Sequence, residues 1–331
     1  MMRQRRTRNA LLALVAAAIP TVGVAVLSAG QASASSARAA AKYSVAFIPG
    51  ATGVGFYIAM GDGIRAEARK LGMSYTTQGS PNFDPSDQTP VVQAVCSRHP
   101  SLLLIAPTDP VAMRPAIQNC MNEGVKVITV DTGLTNTSGL ISAVTSNNIQ
   151  GGEEAGRLIG QRLHGRGEVA FLSLSPTATT QVQRIKGAQQ ELRRYFPHIK
   201  QLKVQYTQQA ESSSETAAES IINANPGVKA FFGSAEPNAE GAAAAAKALG
   251  KKLTIVGYDA DPPSVKLLKS GALAGLVVQQ PALEGKTAVE FGYDALTGKR
   301  SRIKKRVVLP NVLVTTSEAK SPRYRKYYYP A

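Results

Sequence analysis

Two aspartates in this 331-residue sequence each close a hydrophobic run: Asp131 ends "VITVD" and Asp259 ends "IVGYD". In open parallel sheets ligands sit beyond the carboxyl ends of the strands, where loops can present side chains without breaking the ladder. A carboxylate withdrawn from water there needs hydrogen-bond donors. Sugar hydroxyls suit it, because each gives one hydrogen bond while accepting others. A lone aspartate after a strand reads equally as a turn or helix cap; the recurrence favours two carboxylates lining opposite walls of one cleft.

Aromatic residues stand close to both. Phe56 and Tyr57 follow the glycine-rich "PGATGVG" of residues 49–55, and Tyr258 directly precedes Asp259. Aromatic faces contribute apolar contact to the C–H faces of a sugar ring, although one of Phe56 and Tyr57 is expected merely to pack the first helix. Arg184, in "QRIKG", could fork onto adjacent hydroxyls or a carboxylate; taken alone it reads as a solvated helix residue.

Other chemistries find no support. A dinucleotide loop beginning at Gly50 needs glycine where Thr52 stands, and "EGKT" at 284–287 has Gln280 where a phosphate loop needs glycine. His99, His164 and His198 show no metal-ligand spacing, and no nucleophile elbow or zinc-helix motif is present. A carboxylate pair could in principle hydrolyse glycosides, but nothing calls for an enzyme: no catalytic residue, metal or cofactor is expected.

The elements that must hold these residues follow from hydrophobic periodicity. Apolar, β-rich runs predict strands over 44–49, 102–106, 125–130, 168–174, 229–232, 253–258 and 273–279. Helical patterns separate them: Phe56, Met60, Ile64 and Leu71 share a face, and "EGAAAAAKALG" closes on Gly250. Continuous apolar strands alternating with helices mean an α/β fold with parallel sheets covered on both faces. One sheet of all these strands would be unusually wide, and the repeated strand-then-aspartate phrase argues for two lobes, from Tyr43 to about Ser146 and from about Asn147 to Gln279.

Composition is that of a globular chain, 44% hydrophobic and 18% charged. Arg3, Arg5, Arg6 and Arg8 precede an uncharged apolar run to about Gly30 and then Ala32-Ser33-Ala34, the order of a secretory signal over residues 1–34. The run is also just long enough for an uncleaved anchor; either places the rest outside the cytoplasm, in a periplasm or against a cell envelope. The formal charge of +16 falls to +12 without those four arginines. Apart from residues 298–306 and 321–329 the charge is spread, so it reads as solubility and affinity for an anionic surface; a nucleic-acid partner is not expected. Cys96 and Cys120 are the only cysteines, and in an exported chain they are a candidate disulfide, the alternative being two buried thiols.

In their order and spacing, "FYIAMGDGIRAEARKLG" (56–72), "LLLIAPTDPVAM" (102–113), "VKVITVDTG" (125–133), "SNNIQGGEEAG" (146–156), "TIVGYDAD" (254–261) and "GLVVQQPALEGKTAVE" (275–290) resemble the ribose-binding-like family of extracytoplasmic sugar-binding proteins of ABC importers. The resemblance runs from Tyr43 to about Thr315. It implies the type I periplasmic binding protein fold: two Rossmann-like lobes joined by three crossings, with a ligand in the cleft and hinge closure on binding. It divides the chain into an N-terminal lobe of 43–146 plus 280–310 and a C-terminal lobe of 147–279 plus 311–331, the third crossing lying near Pro310.

Position by position, the resemblance implies that Phe56 and Tyr57 are the ring-stacking pair and Asp131 the first-lobe hydroxyl acceptor. Ser146 falls at the first hinge. Arg184, Tyr258 and Asp259 supply the second-lobe arginine, aromatic and acid, and Gln279 the amide beside the second hinge. It further implies a monomer whose partners are a small sugar or sugar-like ligand and the membrane permease of an ABC importer; a membrane receptor in place of the permease, or a non-sugar metabolite, is the alternative. Val54, Ala106 and Ala235 stand where ribose binders resemble one another in having asparagine, and Thr132 stands where an arginine is expected. An apolar wall cannot satisfy a sugar hydroxyl, so a ligand larger, less hydroxylated or differently shaped than ribose is expected.

Overall fold

The computed structural model describes residues 41–207 and 209–329; the expected leader over 1–34 lies outside them. From Ser44 strands and helices alternate: β1 (Ser44–Ile48), α1 (Gly55–Lys70), β2 (Ser74–Thr77), α2 (Pro85–Cys96), β3 (Leu102–Ile105), α3 (Arg114–Asn122), β4 (Lys126–Val130) and β5 (Ser142–Ser146). The alternation continues with α4 (Asn148–Arg162), β6 (Gly167–Ser173), α5 (Thr179–Tyr195), β7 (Ile199–Tyr206), α6 (Glu211–Ala224), β8 (Val228–Gly233), α7 (Glu236–Ala248), β9 (Thr254–Tyr258), α8 (Pro262–Ser270) and β10 (Gly275–Val278). Helix α9 (Pro281–Leu296) and strands β11 (Arg306–Leu309) and β12 (Val312–Thr315) follow.

These strands form two six-stranded sheets of the same order, β2-β1-β3-β4-β5-β11 and β7-β6-β8-β9-β10-β12. The first is parallel throughout; in the second only β12 runs antiparallel, against β10. The chain passes between sheets three times, from β5 into α4, from β10 into α9, which packs on α1, β4 and β5, and from β11 into β12. The fold is therefore two α/β lobes joined by three crossings.

Central strands are continuous apolar runs because helices cover both faces: every residue of β3 (LLLI) and β10 (GLVV) is buried. Sequence patterning missed β2, β5, β7, β11 and β12. Strands β2 (SYTT) and β7 (IKQLKVQY) are sheet edges with exposed faces, and an edge strand burying little apolar surface has no hydrophobic run to betray it. On α1, Phe56, Met60 and Ile64 are buried as their spacing predicts, whereas Leu71 is the half-buried C-cap residue. Cys96 ends α2 and is joined by a disulfide to Cys120 on α3, with Cα atoms 5.4 Å apart. Among the described residues no helix is long and apolar enough to cross a membrane.

Candidate ligand-binding cleft

Strands β4 and β9 hold the same place in their sheets, and both end in an aspartate with left-handed backbone, φ 60° at Asp131 and 75° at Asp259. That conformation is strained for a side-chain-bearing residue, and aspartate is among the few that tolerate it. Each also donates its backbone N–H to the neighbouring strand, Asp131 to the Val144 carbonyl at 2.9 Å and Asp259 to the Val277 carbonyl at 2.8 Å. The sharp turn takes the chain off the strand and leaves the carboxyl group at the sheet's edge, 6% and 3% exposed respectively.

The first-lobe wall is built by the start of α1. The Tyr57 hydroxyl donates to Asp131 Oδ2 at 2.7 Å, and the Phe56 and Tyr57 rings meet edge to face at 5.2 Å. Both line the cavity, so neither serves the core alone. Gly50 makes room for them: a Cβ there would collide with the Tyr57 hydroxyl and the Phe83 ring.

Arg184, on α5, anchors the second-lobe wall. Its Nε donates to Asn148 Oδ1 at 2.8 Å and its Nη1 to the Ser234 carbonyl at 2.9 Å, with Asp259 Oδ2 3.7 Å from Nη1. The guanidinium lies 3.8 Å above the Tyr258 ring, a cation–π contact strengthened by burial. Asp259 Oδ1 accepts from Gln279 Nε2 at 2.6 Å and from the Tyr329 hydroxyl at 2.8 Å.

Of the residues nominated from sequence, Phe56, Tyr57, Asp131, Arg184, Asp259 and Gln279 line one inner cavity. Ser146 and Tyr258 stand behind it: Ser146 donates to Glu284 Oε1, and the Tyr258 hydroxyl accepts from Asn311 Nδ2 at 3.0 Å. Val54 and Ala235 do line the cavity, whereas Ala106 is buried beneath Gln88, whose Nε2 donates to its carbonyl. Sequence reasoning missed Phe83, Gln209, Glu236 and Tyr329. It also missed Thr180 and Gln181, although these precede Arg184 by four and three residues on α5 and so share its face.

Burial sets the protonation states. It raises the Asp131 carboxyl to about 6 despite Arg184 and the Tyr57 hydrogen bond, which pull it down. Burial, with Asp259 and Asp261 nearby, holds the Glu236 carboxyl well above the usual carboxyl range. Burial opposes the charge on Arg184, but Tyr258, Asp259 and Asp131 outweigh it. Among the described residues, Gln209 Oε1 and Gln279 Oε1 are buried acceptors without a partner, placed on residues that line the cavity.

The inner cavity is about 30 Å³. Through Phe83, Leu174 and Gln209 it adjoins an outer vestibule of about 760 Å³, walled by residues 81–87 of the first lobe and by Ser175 and Thr177 of the second. The lips meet where the Gly133 N–H donates to Thr179 Oγ1 at 3.0 Å. At the back the crossings are tied together. Asn311 Nδ2 donates to the Asn147 carbonyl at 2.7 Å, the Asn147 N–H to the Leu309 carbonyl at 2.7 Å, and Gln280 Nε2 to the Pro310 carbonyl at 3.0 Å.

The family profile described as periplasmic binding protein domain matches residues 45–300. The ribose import binding protein of Bacillus subtilis (strain 168) is 30% identical over 265 residues, 78% of this chain and 83% of the relative. The D-allose-binding periplasmic protein of Escherichia coli (strain K12) is 27% identical over 273 residues, 78% and 86% of the two chains. Among solved structures, an ABC transporter solute binding protein from Agrobacterium vitis bound with alpha-D-tagatopyranose superposes with a TM-score of 0.84 at 28% identity, covering 88% of this chain and 100% of that one.

Proposed function

The chain belongs to the periplasmic binding protein family, and from that premise we propose that it captures a small carbohydrate between its lobes and delivers it to the membrane permease of an ABC-type importer. The observation that carries this reading is the convergence of Asp131, from the first lobe, with Arg184 and Asp259, from the second, on one cavity beside Phe56 and Tyr57. A ligand whose hydroxyls bond both carboxylates at once has all its contacts only when the lobes are closed. Binding therefore shifts the population toward the closed form, and the permease reads that shape. No bond is broken, so the reading assigns binding and transport and no catalytic residue.

The lobes divide at 146/147, 279/280 and 310/311 in this reading, and Ser146, Glu284, Tyr258 and Asn311 brace the hinge rather than touch ligand. Residues 1–34 are the export leader, and the protein works outside the cytoplasm. Val54 and Ala235 on the walls favour a ligand presenting fewer hydroxyls there than ribose does. The unpartnered Gln209 Oε1 and Gln279 Oε1 are acceptors for hydroxyls elsewhere on the ring.

A thermal-shift screen of the protein, unfolded and refolded to strip carried ligand, tests this against ribose, allose, tagatose, arabinose, other sugars, polyols and non-sugar metabolites. A ligand at about 100 times its dissociation constant adds roughly 2.7 kcal/mol, a clear rise in melting temperature. A response confined to non-sugar compounds rejects the carbohydrate reading.

A further inference from the structure

Beyond β12 the described chain, as far as Tyr329, stays packed on the molecule. Glu318 accepts from the Thr315 hydroxyl at 2.7 Å and the Tyr324 hydroxyl at 2.8 Å. A 3-10 helix, Pro322–Tyr327, follows, and the Tyr328 hydroxyl donates back to the Ala319 carbonyl at 2.9 Å. The segment is thereby fastened to the second lobe, and it delivers Tyr329 to the cleft. There the Tyr329 N–H donates to the Ala260 carbonyl at 2.9 Å, its hydroxyl to Asp259 Oδ1 at 2.8 Å, and its ring meets Phe56 edge to face at 6.1 Å. Tyr329 is 7% exposed.

A phenol combines an apolar ring with a hydroxyl, the two features this cleft is built to read. Tyr329 places its ring on an aromatic of the first lobe and its hydroxyl on the acid of the second, so it bridges the lobes as a sugar would. The inner cavity left beside these groups, about 30 Å³, has room on the order of one or two waters and none for a monosaccharide ring. On the far side of Tyr329 a pocket of about 290 Å³, walled by Gln279 to Leu283 and by Lys326 to Tyr329, offers space into which the ring can withdraw.

We propose that Tyr329 is an internal competitor for the cleft: it takes a hydrogen-bonding position on Asp259 and a ring contact with Phe56 that a ligand needs, and a ligand binds by displacing it. The proposal rests on the carbohydrate-cleft reading for the ligand's chemistry, but the docking of Tyr329 stands on its own contacts. Two consequences follow. Apparent affinity is reduced by the fraction of molecules with the cleft free, and the ligand-free protein is held partly closed. Burial keeps the phenol protonated as a donor well above its usual range.

The test is calorimetric titration of the full chain with D-ribose, D-allose and D-tagatose, alongside Tyr329→Ala, Tyr329→Phe and a truncation after Ser321, with small-angle scattering of each without sugar. Tyr329→Ala is expected to bind a given sugar about 10-fold more tightly and to show a larger ligand-free radius of gyration, with Tyr329→Phe intermediate. The two point variants keep the test decisive if the truncation fails to fold. Unchanged affinity overturns the proposal, and so does weaker affinity, which would make Tyr329 a wall of the site. If no form binds any of the sugars, the scattering decides: opening in Tyr329→Ala supports the docked tyrosine while counting against the carbohydrate reading, and no opening overturns the docked tyrosine.

Discussion

Asp131 and Asp259 are equivalent residues of two similar lobes: each ends the fourth strand of its sheet in chain order, each has positive φ, and each donates its N–H to the next strand's carbonyl. Burial mainly raises the Asp131 carboxyl, Asp259 adds to that rise, and Arg184 opposes it. The same backbone device, used once per lobe, aims a carboxyl group into one cleft from both sides.

In the proposed site, Asp259→Ala removes the hydroxyl acceptor of the second wall. In a Tyr329→Ala background, where release of the tyrosine no longer contributes, the ligand is expected to bind about 10- to 100-fold more weakly, the equivalent of roughly 1–3 kcal/mol. Unchanged calorimetric affinity would remove Asp259 from the binding site.

In the proposed site, Asp131 is expected to make binding sensitive to pH. With its carboxyl at about 6, ligand affinity should fall as pH drops through 6 and the acceptor is protonated, and Asp131→Asn should flatten that profile. Stability moves the other way. The folded state holds a proton between the ordinary value of 3.8 and about 6 that the unfolded chain has lost, so the contribution of Asp131 to folding declines as pH rises across this window. Denaturant titrations of the two proteins at pH 4.5 and 7.5 should reveal a difference in slope, and parallel curves would contradict the assignment.

Arg184 is 3% exposed and has partners on three sides. Replacing it by Leu leaves the buried Asp259 without its cation, holding only the Gln279 and Tyr329 hydrogen bonds, and Asn148 Oδ1 without its donor; removing one partner of a buried ion pair costs about 3–5 kcal/mol. The urea midpoint should fall accordingly; a loss no larger than that of a surface arginine would mean the group is hydrated.

Gly151, on α4, lies against the hinge. A Cβ there would overlap the Tyr258 hydroxyl and the Asn311 amide, so Gly151→Ala is expected to cost about 1–3 kcal/mol through overpacking. Adding Tyr258→Phe should recover part of the melting temperature. Failure of that rescue would place the strain in the helix backbone instead.

The Cys96–Cys120 bridge spans a sequence separation of 24. Labelling of the unfolded, unreduced chain should find no free thiol, and the Cys96→Ser, Cys120→Ser double variant should lose about 2–4 kcal/mol. Two labelled sites would refute the bridge.

The central strands, the α/β class and the division into two lobes were legible in the sequence, because strands buried on both faces must be apolar throughout and "LLLI" or "VITV" leaves few other readings. Asp131 and Asp259 were legible as a pair because an acid directly after such a run breaks the pattern twice in the same way. Edge strands such as β2 and β7 were not, since their residues answer to solvent more than to a core. Ser146 and Gln279 were nominated by resemblance alone and Tyr258 also as the aromatic before Asp259, and only the fold separates Gln279, which faces the cavity, from the two that stand behind it.

The tertiary structure alone decided what shares the cleft. Phe83, Gln209, Glu236 and Tyr329 lie far apart in the chain and carry no local signal, because a side chain's role here depends on which loops two separate sheets bring to a common edge. Local sequence determines which segments become strand or helix, through propensity and burial that act over a few residues. Contacts between residues far apart in the chain, such as Tyr57 on Asp131 within one lobe or Phe56 on Tyr329 between the two, depend on chain reversals and lobe packing that no local pattern encodes.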